Sequence, residues 1–296
     1  MSWLVVGGNG QLGKALSMVL SQRNLEFCSV GSNALDVRSK SECMSFITKE
    51  MPSVVINASA WTDVDGAELD PNGAYTVNAT GPLNLAQASK AVGAIFAHVS
   101  TDYVFSGESE APWSENQDRQ PVSEYGRSKA AGEQFVVAEY SKNSYIFRTA
   151  WLYSSWGKNF AKTMTRLSLS SSDEVRVVSD QVGQPTNAID LANQIVDSIV
   201  SKLPAGIYHA TNSGSGSWYE FAQEIFMATG QPIERVVPIT SLDFKRLAKR
   251  PAYSVLGHDG WKVAGSVGHE VPPMRDWRIA LREIMPEIVA TVRAEG

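Results

Sequence analysis

The sequence is poor in the residues that build metal centres and disulfides. Its 296 residues include two cysteines and four histidines. Cys28 and Cys43 have neither CxxC spacing nor a disulfide pattern, and the histidines form no HExxH motif. We therefore expect two reduced thiols in a reducing compartment and no zinc site.

The chain also lacks an excess of charge and a long apolar run. Its 26 basic and 31 acidic side chains give a formal net charge of −5, which leaves no electrostatic footprint for nucleic acid. No apolar run is long enough to span a bilayer, and the segment Met1 to Gly8 has no basic region of the kind that begins a signal peptide. We expect a cytoplasmic protein that binds neither nucleic acid nor membrane.

The first half alternates short β-branched runs with amphipathic stretches. Predicted strands begin near Leu4, Leu25, Ser53, Ala94 and Ser144, and apolar residues at helical spacing separate them. This alternation predicts an α/β fold with a Rossmann-like, doubly wound parallel sheet. Ligands of such sheets bind beyond the carboxyl ends of the strands, so we expect functional residues there.

A glycine-rich turn follows the first predicted strand and opens a helix. Gly7, Gly10 and Gly13 form a G-x-x-G-x-x-G pattern, which allows a tight turn and lets the backbone approach a pyrophosphate at a helix N-terminus. Asn57-Ala58-Ser59-Ala60 ends the third strand with small residues that leave room for a dinucleotide. Gly31-Ser32-Asn33 ends the second strand without an acid, so NADPH and NADH both stay open, with a lean to NADPH.

The alternation weakens after Trp151, where polar loops become frequent. We therefore predict an NAD(P)-binding domain over residues 1–150 and a smaller C-terminal α/β substrate-binding domain over 151–187 and 205–296. The helical segment 188–204 is expected to pack back on the sheet. The long polar loop from Ser106 to Glu124 is expected to form a lid or a wall over the substrate.

Tyr125 and Lys129 form a Y-x-x-x-K pair at the start of a predicted helix. Residues four apart share one helix face, so both should point into the cleft. A nearby ammonium lowers the pKa of a phenol from its ordinary value of about 10, and the pair could then protonate a carbonyl oxygen as hydride arrives. The hydroxyl of Thr101, at the end of the fourth strand, would complete the hydrogen bonding. The competing interpretation is a solvated helix face.

Six motifs follow one another along nearly the whole chain. They are Thr101-Asp102-Tyr103-Val104-Phe105, Tyr125-Gly126-x-x-Lys129, Arg148-Thr149-x-Trp151-Leu152-Tyr153, Asn159-Phe160-x-x-Thr163-Met164, Asp180-Gln181-x-Gly183-x-Pro185-Thr186 and Arg250-Pro251-x-x-Ser254. Together they resemble the dTDP-4-dehydrorhamnose reductases, a family in the extended branch of the short-chain dehydrogenase/reductase superfamily. The resemblance implies NAD(P)H-dependent reduction of the 4-keto group of dTDP-6-deoxy-L-lyxo-4-hexulose to dTDP-L-rhamnose.

The resemblance also implies roles for single residues. Tyr125 would be the proton donor, and Lys129 would tune it and bind the nicotinamide ribose. The sugar would meet Thr101, Asp102, Tyr103 and Trp151. The expected cofactor contacts are Gly7, Gly10, Gln11, Leu12, Gly13, Asp36, Val37, Ala58, Ser59, Ala60, Thr62, Tyr125 and Lys129.

Some positions depart from the family pattern. Trp61 stands where histidine is common, and Gly257 stands where an acid is usual. Some family members bridge a dimer through magnesium held by carboxylates, but two of those positions are Ala15 and Ile189 here, and only Glu287 is retained. Magnesium needs oxygen ligands, so we expect no bound metal and a monomer or a weak homodimer.

Two other functions stay open. A nucleotide-sugar dehydratase or epimerase could share the fold, although dehydratases carry a Thr-Asp-Glu motif and this chain has Tyr103 at the third position. A non-catalytic, cofactor-binding regulatory subunit is the other alternative, because fold alone does not prove catalysis.

Overall fold

The computed structural model describes residues 2–266 and 271–295, and its centre is a six-stranded parallel sheet of order β10-β5-β4-β3-β1-β2. The predicted Rossmann-like parallel sheet is therefore confirmed. The strands are β1 Trp3–Val6, β2 Phe27–Val30, β3 Val54–Asn57, β4 Ile95–Thr101, β5 Ser144–Thr149, β6 Leu152–Tyr153, β7 Val175–Val178, β8 Val182–Gly183, β9 Thr186–Asn187, β10 Gly206–His209, β11 Gly216–Ser217 and β12 Val236–Ile239.

Helices cover both faces of this sheet, which makes it doubly wound. Helices α1 and α8 pack on one face, and α2, α5 and α6 pack on the other. The helices are α1 Gln11–Gln22, α2 Lys40–Glu50, α3 Val64–Leu69, α4 Pro71–Tyr75, α5 Gly81–Val92, α6 Glu124–Tyr140, α7 Phe160–Ser170, α8 Ala188–Val200, α9 Trp218–Ala228, α10 Asp259–Ser266 and α11 Trp277–Glu295. Within residues 2–266 and 271–295, no helix combines the length and apolarity needed to cross a membrane.

The apolar runs of the sequence form strands whose alternate side chains pack into two cores, one on each face of the sheet. In β1, Trp3 and Val5 join the core beneath α1 and α8, whereas Leu4 and Val6 join the core beneath α2 and α5. All four are buried. A strand covered on both faces gains burial from every residue, which is why its sequence is continuously apolar rather than alternating.

The second half of the chain contributes both to the central sheet and to a separate core. Strand β10 pairs with β5 in the central sheet, although its residues fall in the segment 205–296 assigned to the substrate-binding domain. Helix α8 packs against α1. A third core contains Tyr153, Phe221, Trp277 and Ile288. The division into two domains itself stays a prediction.

Candidate active site

A cleft of about 360 Å³ opens at the carboxyl ends of β1, β2 and β3. Parallel strands end at one edge of a sheet, so the loops after them meet there. Seven of the expected cofactor residues line the cleft, namely Gly7, Gly10, Asp36, Val37, Ala58, Ser59 and Ala60. The other six lie outside its lining, namely Gln11, Leu12, Gly13, Thr62, Tyr125 and Lys129.

The glycine turn has the geometry of a phosphate cradle. Gly7 has φ +90°, and a Cβ there would lie 2.6 Å from the backbone nitrogen of Ser59. A Cβ on Gly13 would lie 2.3 Å from the carbonyl oxygen of Gly7. Gly10 is the N-cap of α1 and supplies no capping side chain, so the first N–H groups of the helix are free to bind an anion. These residues fit a dinucleotide pyrophosphate.

We expect Gly13→Ala to lower the free energy of unfolding by about 1–3 kcal/mol, because the methyl group overpacks the turn. Gly10→Ala is the matched control, since its Cβ would lie 3.4 Å from the Gly7 carbonyl oxygen, in ordinary contact, and its cost should stay below about 1 kcal/mol. Urea unfolding without cofactor measures both variants. Equal losses in the two variants would contradict this packing.

An ion pair on the cleft wall escaped the sequence analysis. Arg38 lines the cleft and forks onto Asp36, with Nε–Oδ1 at 2.9 Å and Nη2–Oδ2 at 2.7 Å. This hydrogen bond holds the pKa of the Asp36 carboxyl below its ordinary value, against a smaller opposing effect of burial. The only sequence signal was a cation two residues beyond Asp36, an expected cofactor contact.

Tyr125 and Lys129 are buried in the first turns of α6. The helix begins after Ser123, whose side chain accepts a hydrogen bond from the backbone N–H of Gly126 at 3.2 Å. The Lys129 side chain is 2% exposed, and its Nζ donates to the Val99 carbonyl of β4 at 2.6 Å. A solvated helix face is thereby excluded for this pair.

Burial dominates the protonation of both groups. It raises the pKa of Tyr125 to about 12, and the neighbouring Thr101 hydroxyl opposes the rise. It lowers the pKa of Lys129 to about 8, against the opposing charge of Glu133. The structure therefore differs from the expected lowering of the Tyr125 pKa by Lys129: burial is the largest influence on that pKa, and the Lys129 ammonium donates to the Val99 carbonyl instead. The phenol is protonated at neutral pH.

The Thr101-Asp102-Tyr103 motif ends β4 beside Tyr125. Thr101 Oγ1 donates to Asp102 Oδ1 at 2.9 Å, and the Tyr103 ring meets the Tyr125 ring edge-on at 5.5 Å. Burial raises the pKa of Asp102 to about 6, opposed by Ser254 and Thr101. Among the described residues, Asp102 Oδ2 has no hydrogen-bond partner. This buried acceptor suits the hydroxyl group of a ligand.

Trp151 reaches this region through tight packing with Gly183. Its backbone has φ +45°, and its indole stacks on that of Trp218 at 3.6 Å. A Cβ on Gly183 would lie 2.6 Å from the Trp151 indole and 2.9 Å from Ser254 Oγ. Glycine therefore lets Trp151 and Ser254 approach each other beside Asp102. No motif in the sequence pointed to Trp218.

Asn78 is another residue that the sequence did not single out. It lies in a π-helical turn, Thr76–Thr80, a distortion that is frequent at functional sites. Its Oδ1 accepts the Trp61 N–H at 2.8 Å, and its Nδ2 donates to the Trp61 carbonyl and to Ser128 Oγ, both at 3.0 Å. Asn78 thus ties the loop after β3 to α6.

The loop from Ser106 to Glu124 packs as a wall. The Trp113 N–H donates to the Val255 carbonyl at 2.8 Å, and the Gly257 N–H donates to the Trp113 carbonyl at 2.7 Å. The Trp113 ring also stacks on Phe105 at 4.8 Å. Gly257, which departs from the family pattern, lies in this backbone pairing.

Of the three positions that would hold a bridging magnesium, only Glu287 carries a carboxylate. Ala15 is fully buried in α1, and Ile189 packs against the same core. Glu287 accepts a hydrogen bond from Ser155 Oγ at 2.5 Å. Across residues 2–266 and 271–295, no three His, Cys, Asp or Glu side chains are grouped to hold a metal ion. The absence of a metal stays a prediction.

Comparison with known proteins gives consistent matches over the full chain. The family model of the RmlD substrate binding domain matches residues 1–289. A dTDP-4-dehydrorhamnose reductase of Streptomyces griseus is 43% identical over 97% of this chain and 93% of that protein. A dTDP-4-keto-6-deoxy-D-glucose reductase of Streptomyces niveus is 37% identical over 96% of both chains. The crystal structure of dTDP-4-dehydrorhamnose reductase from Bacillus anthracis in complex with NADP aligns with a TM-score of 0.91 and 37% identity, covering 97% of this chain and 99% of that one.

Proposed function

Since the chain belongs to the RmlD substrate binding domain family, we propose that it reduces the 4-keto group of dTDP-6-deoxy-L-lyxo-4-hexulose to dTDP-L-rhamnose. The broader activity, NAD(P)H-dependent reduction of a keto group on a dTDP-sugar, follows from its relatives. The observation that carries the finer proposal is the buried Thr101, Tyr125 and Lys129 group at the carboxyl end of β4.

The cleft beside β1 supports NAD(P)H as the cofactor. Gly7 and Gly10 would hold the pyrophosphate at the N-terminus of α1. Ser32 and Arg38 line the cleft near the end of β2, where no acid opposes a 2′-phosphate except Asp36, which Arg38 neutralises. We therefore favour NADPH over NADH. When bound, the nicotinamide supplies the hydride.

The side chains around Tyr125 support its role as the proton donor. A neutral phenol, kept protonated by burial, can give its proton to the C4 oxygen of the sugar. Thr101 beside it can hydrogen-bond the same oxygen. Lys129, four residues further along the same helix, would bind the nicotinamide ribose when the cofactor is present. Asp102 Oδ2, which is buried and has no hydrogen-bond partner among the described residues, would accept a hydrogen bond from a sugar hydroxyl. The Trp151 indole would cover a sugar face.

Absorbance at 340 nm tests the function directly. The keto sugar is made in situ from dTDP-glucose by the upstream dehydratase and epimerase, and oxidation of NADPH and of NADH is followed separately. We expect rapid turnover, with the higher kcat/KM for NADPH. Cofactor binding without turnover of this sugar would refute the proposed substrate and favour another keto sugar or a regulatory subunit.

A further inference from the structure

Arg250 carries an unpaired, buried hydrogen-bond donor near the candidate site. Its side chain is 19% exposed, and Nη2 pairs with Asp65 Oδ2 at 2.9 Å. Among the described residues, its Nη1 is buried and has no hydrogen-bond partner. A buried charged donor without a hydrogen-bond partner lowers the stability of the folded protein. A bound ligand that accepts a hydrogen bond from Nη1 would remove this cost.

The surroundings of Arg250 place it beside the reacting groups. Its partner Asp65 follows Val64, which packs in one apolar cluster with Tyr103 and Tyr125. The charge of Arg250 also opposes the rise that burial causes in the pKa of Tyr103. The Tyr103 ring in turn contacts Tyr125. Ser254, four residues after Arg250, opposes the rise that burial causes in the pKa of the Asp102 carboxyl. The segment from Arg250 to Ser254 therefore runs along the site.

Asp65 fixes the orientation of this guanidinium. It is in α3, shortly after the cofactor loop of residues 58–62, and its Oδ1 also accepts the Ala248 N–H at 3.0 Å. Arg246 approaches the same carboxylate only to 3.8 Å and is about half exposed. Because one terminal nitrogen of Arg250 is held by Asp65, the other is presented without further loss of side-chain freedom.

We propose that Arg250, oriented by Asp65, donates through Nη1 to the diphosphate of the nucleotide-sugar substrate. This inference rests on the proposed function, because it needs a substrate that carries a diphosphate. A guanidinium matches phosphate oxygens in shape and charge, and a chain of net charge −5 needs a local cation to bind a dianion. The diphosphate is attached to C1 of the hexose, which lies across the ring from C4. With Tyr103 in contact with Tyr125, the proposal puts C4 of the hexose at Tyr125 and the diphosphate at Arg250.

Isothermal titration of dTDP into the full-length protein tests the proposal without turnover. We expect Arg250→Gln to weaken dTDP binding about tenfold to a hundredfold, the effect of a lost charged hydrogen bond, with NADPH affinity unchanged. Arg250→Lys keeps the charge but not the fork and should lose less. Asp65→Asn should also weaken dTDP binding, because it releases the guanidinium. Lys249→Gln, an exposed cation in the same segment that pairs with Glu108, is the control, expected to change affinity less than about threefold.

The outcomes separate this proposal from the proposed function. Equal dTDP affinity of Arg250→Gln and the native chain would overturn the role of Arg250. If Arg250→Gln does not fold, Arg250→Lys and Asp65→Asn decide by the same titration. If the native chain binds UDP or ADP but not dTDP, the proposed sugar nucleotide is wrong, and the variants are compared with the nucleotide that binds. A native chain that binds none of the three overturns the diphosphate contact as well.

Discussion

Replacing Tyr125 by phenylalanine should lower kcat for keto-sugar reduction by about 10²–10⁴, the usual contribution of a positioned general acid. The change removes one hydroxyl and leaves the ring, which packs edge-on against Tyr103. Burial keeps this phenol protonated at neutral pH, with a pKa near 12, so it is in the form that donates. The NADPH cleft beside β1 does not include Tyr125 in its lining, and NADPH affinity should therefore change little.

The measurement is kcat at saturating NADPH, together with NADPH binding followed by fluorescence. Tyr140→Phe is the matched control, because Tyr140 ends the same helix and its hydroxyl bonds only to Asn143 among the described residues. We expect that control to retain kcat within about twofold, as for a surface change away from the chemistry. A Tyr125→Phe enzyme with unchanged kcat would refute the proton-donor assignment.

The sheet and the glycine turn could be predicted because their signals are local. Leu4-Val5-Val6 before Gly7 is a strand followed by a turn, and the whole pattern lies within a dozen residues. Tyr125 and Lys129 are four apart, so a helix alone brings them to one face. These features depend on backbone periodicity and not on how distant parts of the chain meet.

The unpredicted features all depend on long-range packing. Asp65 and Arg250 are 185 residues apart, and no periodicity relates them. Trp218 stacks on Trp151 only because two segments far apart in the chain meet. The pKa of Tyr125 depends on desolvation in the folded protein, which sequence spacing does not encode. The sequence therefore pointed to the candidate catalytic residues, but not to the long-range contacts that change their pKa values and orientation.

A buried ion pair between Glu133 and Arg148 lies behind the site, and we expect it to contribute strongly to the free energy of unfolding. Glu133, one turn after Lys129 on α6, is fully buried, and Arg148 of β5 is 1% exposed. The two form a fork with Nε–Oε1 at 2.9 Å and Nη2–Oε2 at 2.8 Å. Arg119 of the wall loop adds a third contact at 2.6 Å. Removing Arg148 takes both bonds of its fork from the buried Glu133 carboxylate and leaves only the contact with Arg119, a loss that is costly in a buried site.

We therefore expect Arg148→Met to lower the free energy of unfolding by about 3–5 kcal/mol. Lys90→Met removes a more exposed pair with Glu139, 2.9 Å long, and should cost less than about 1 kcal/mol. Urea unfolding measures both. The double variant Glu133→Leu/Arg148→Met should be less destabilised than the sum of its single changes, because neither charge is then stranded. Equal losses for Arg148→Met and Lys90→Met, or strict additivity in the double variant, would mean that the buried pair is not coupled in this way.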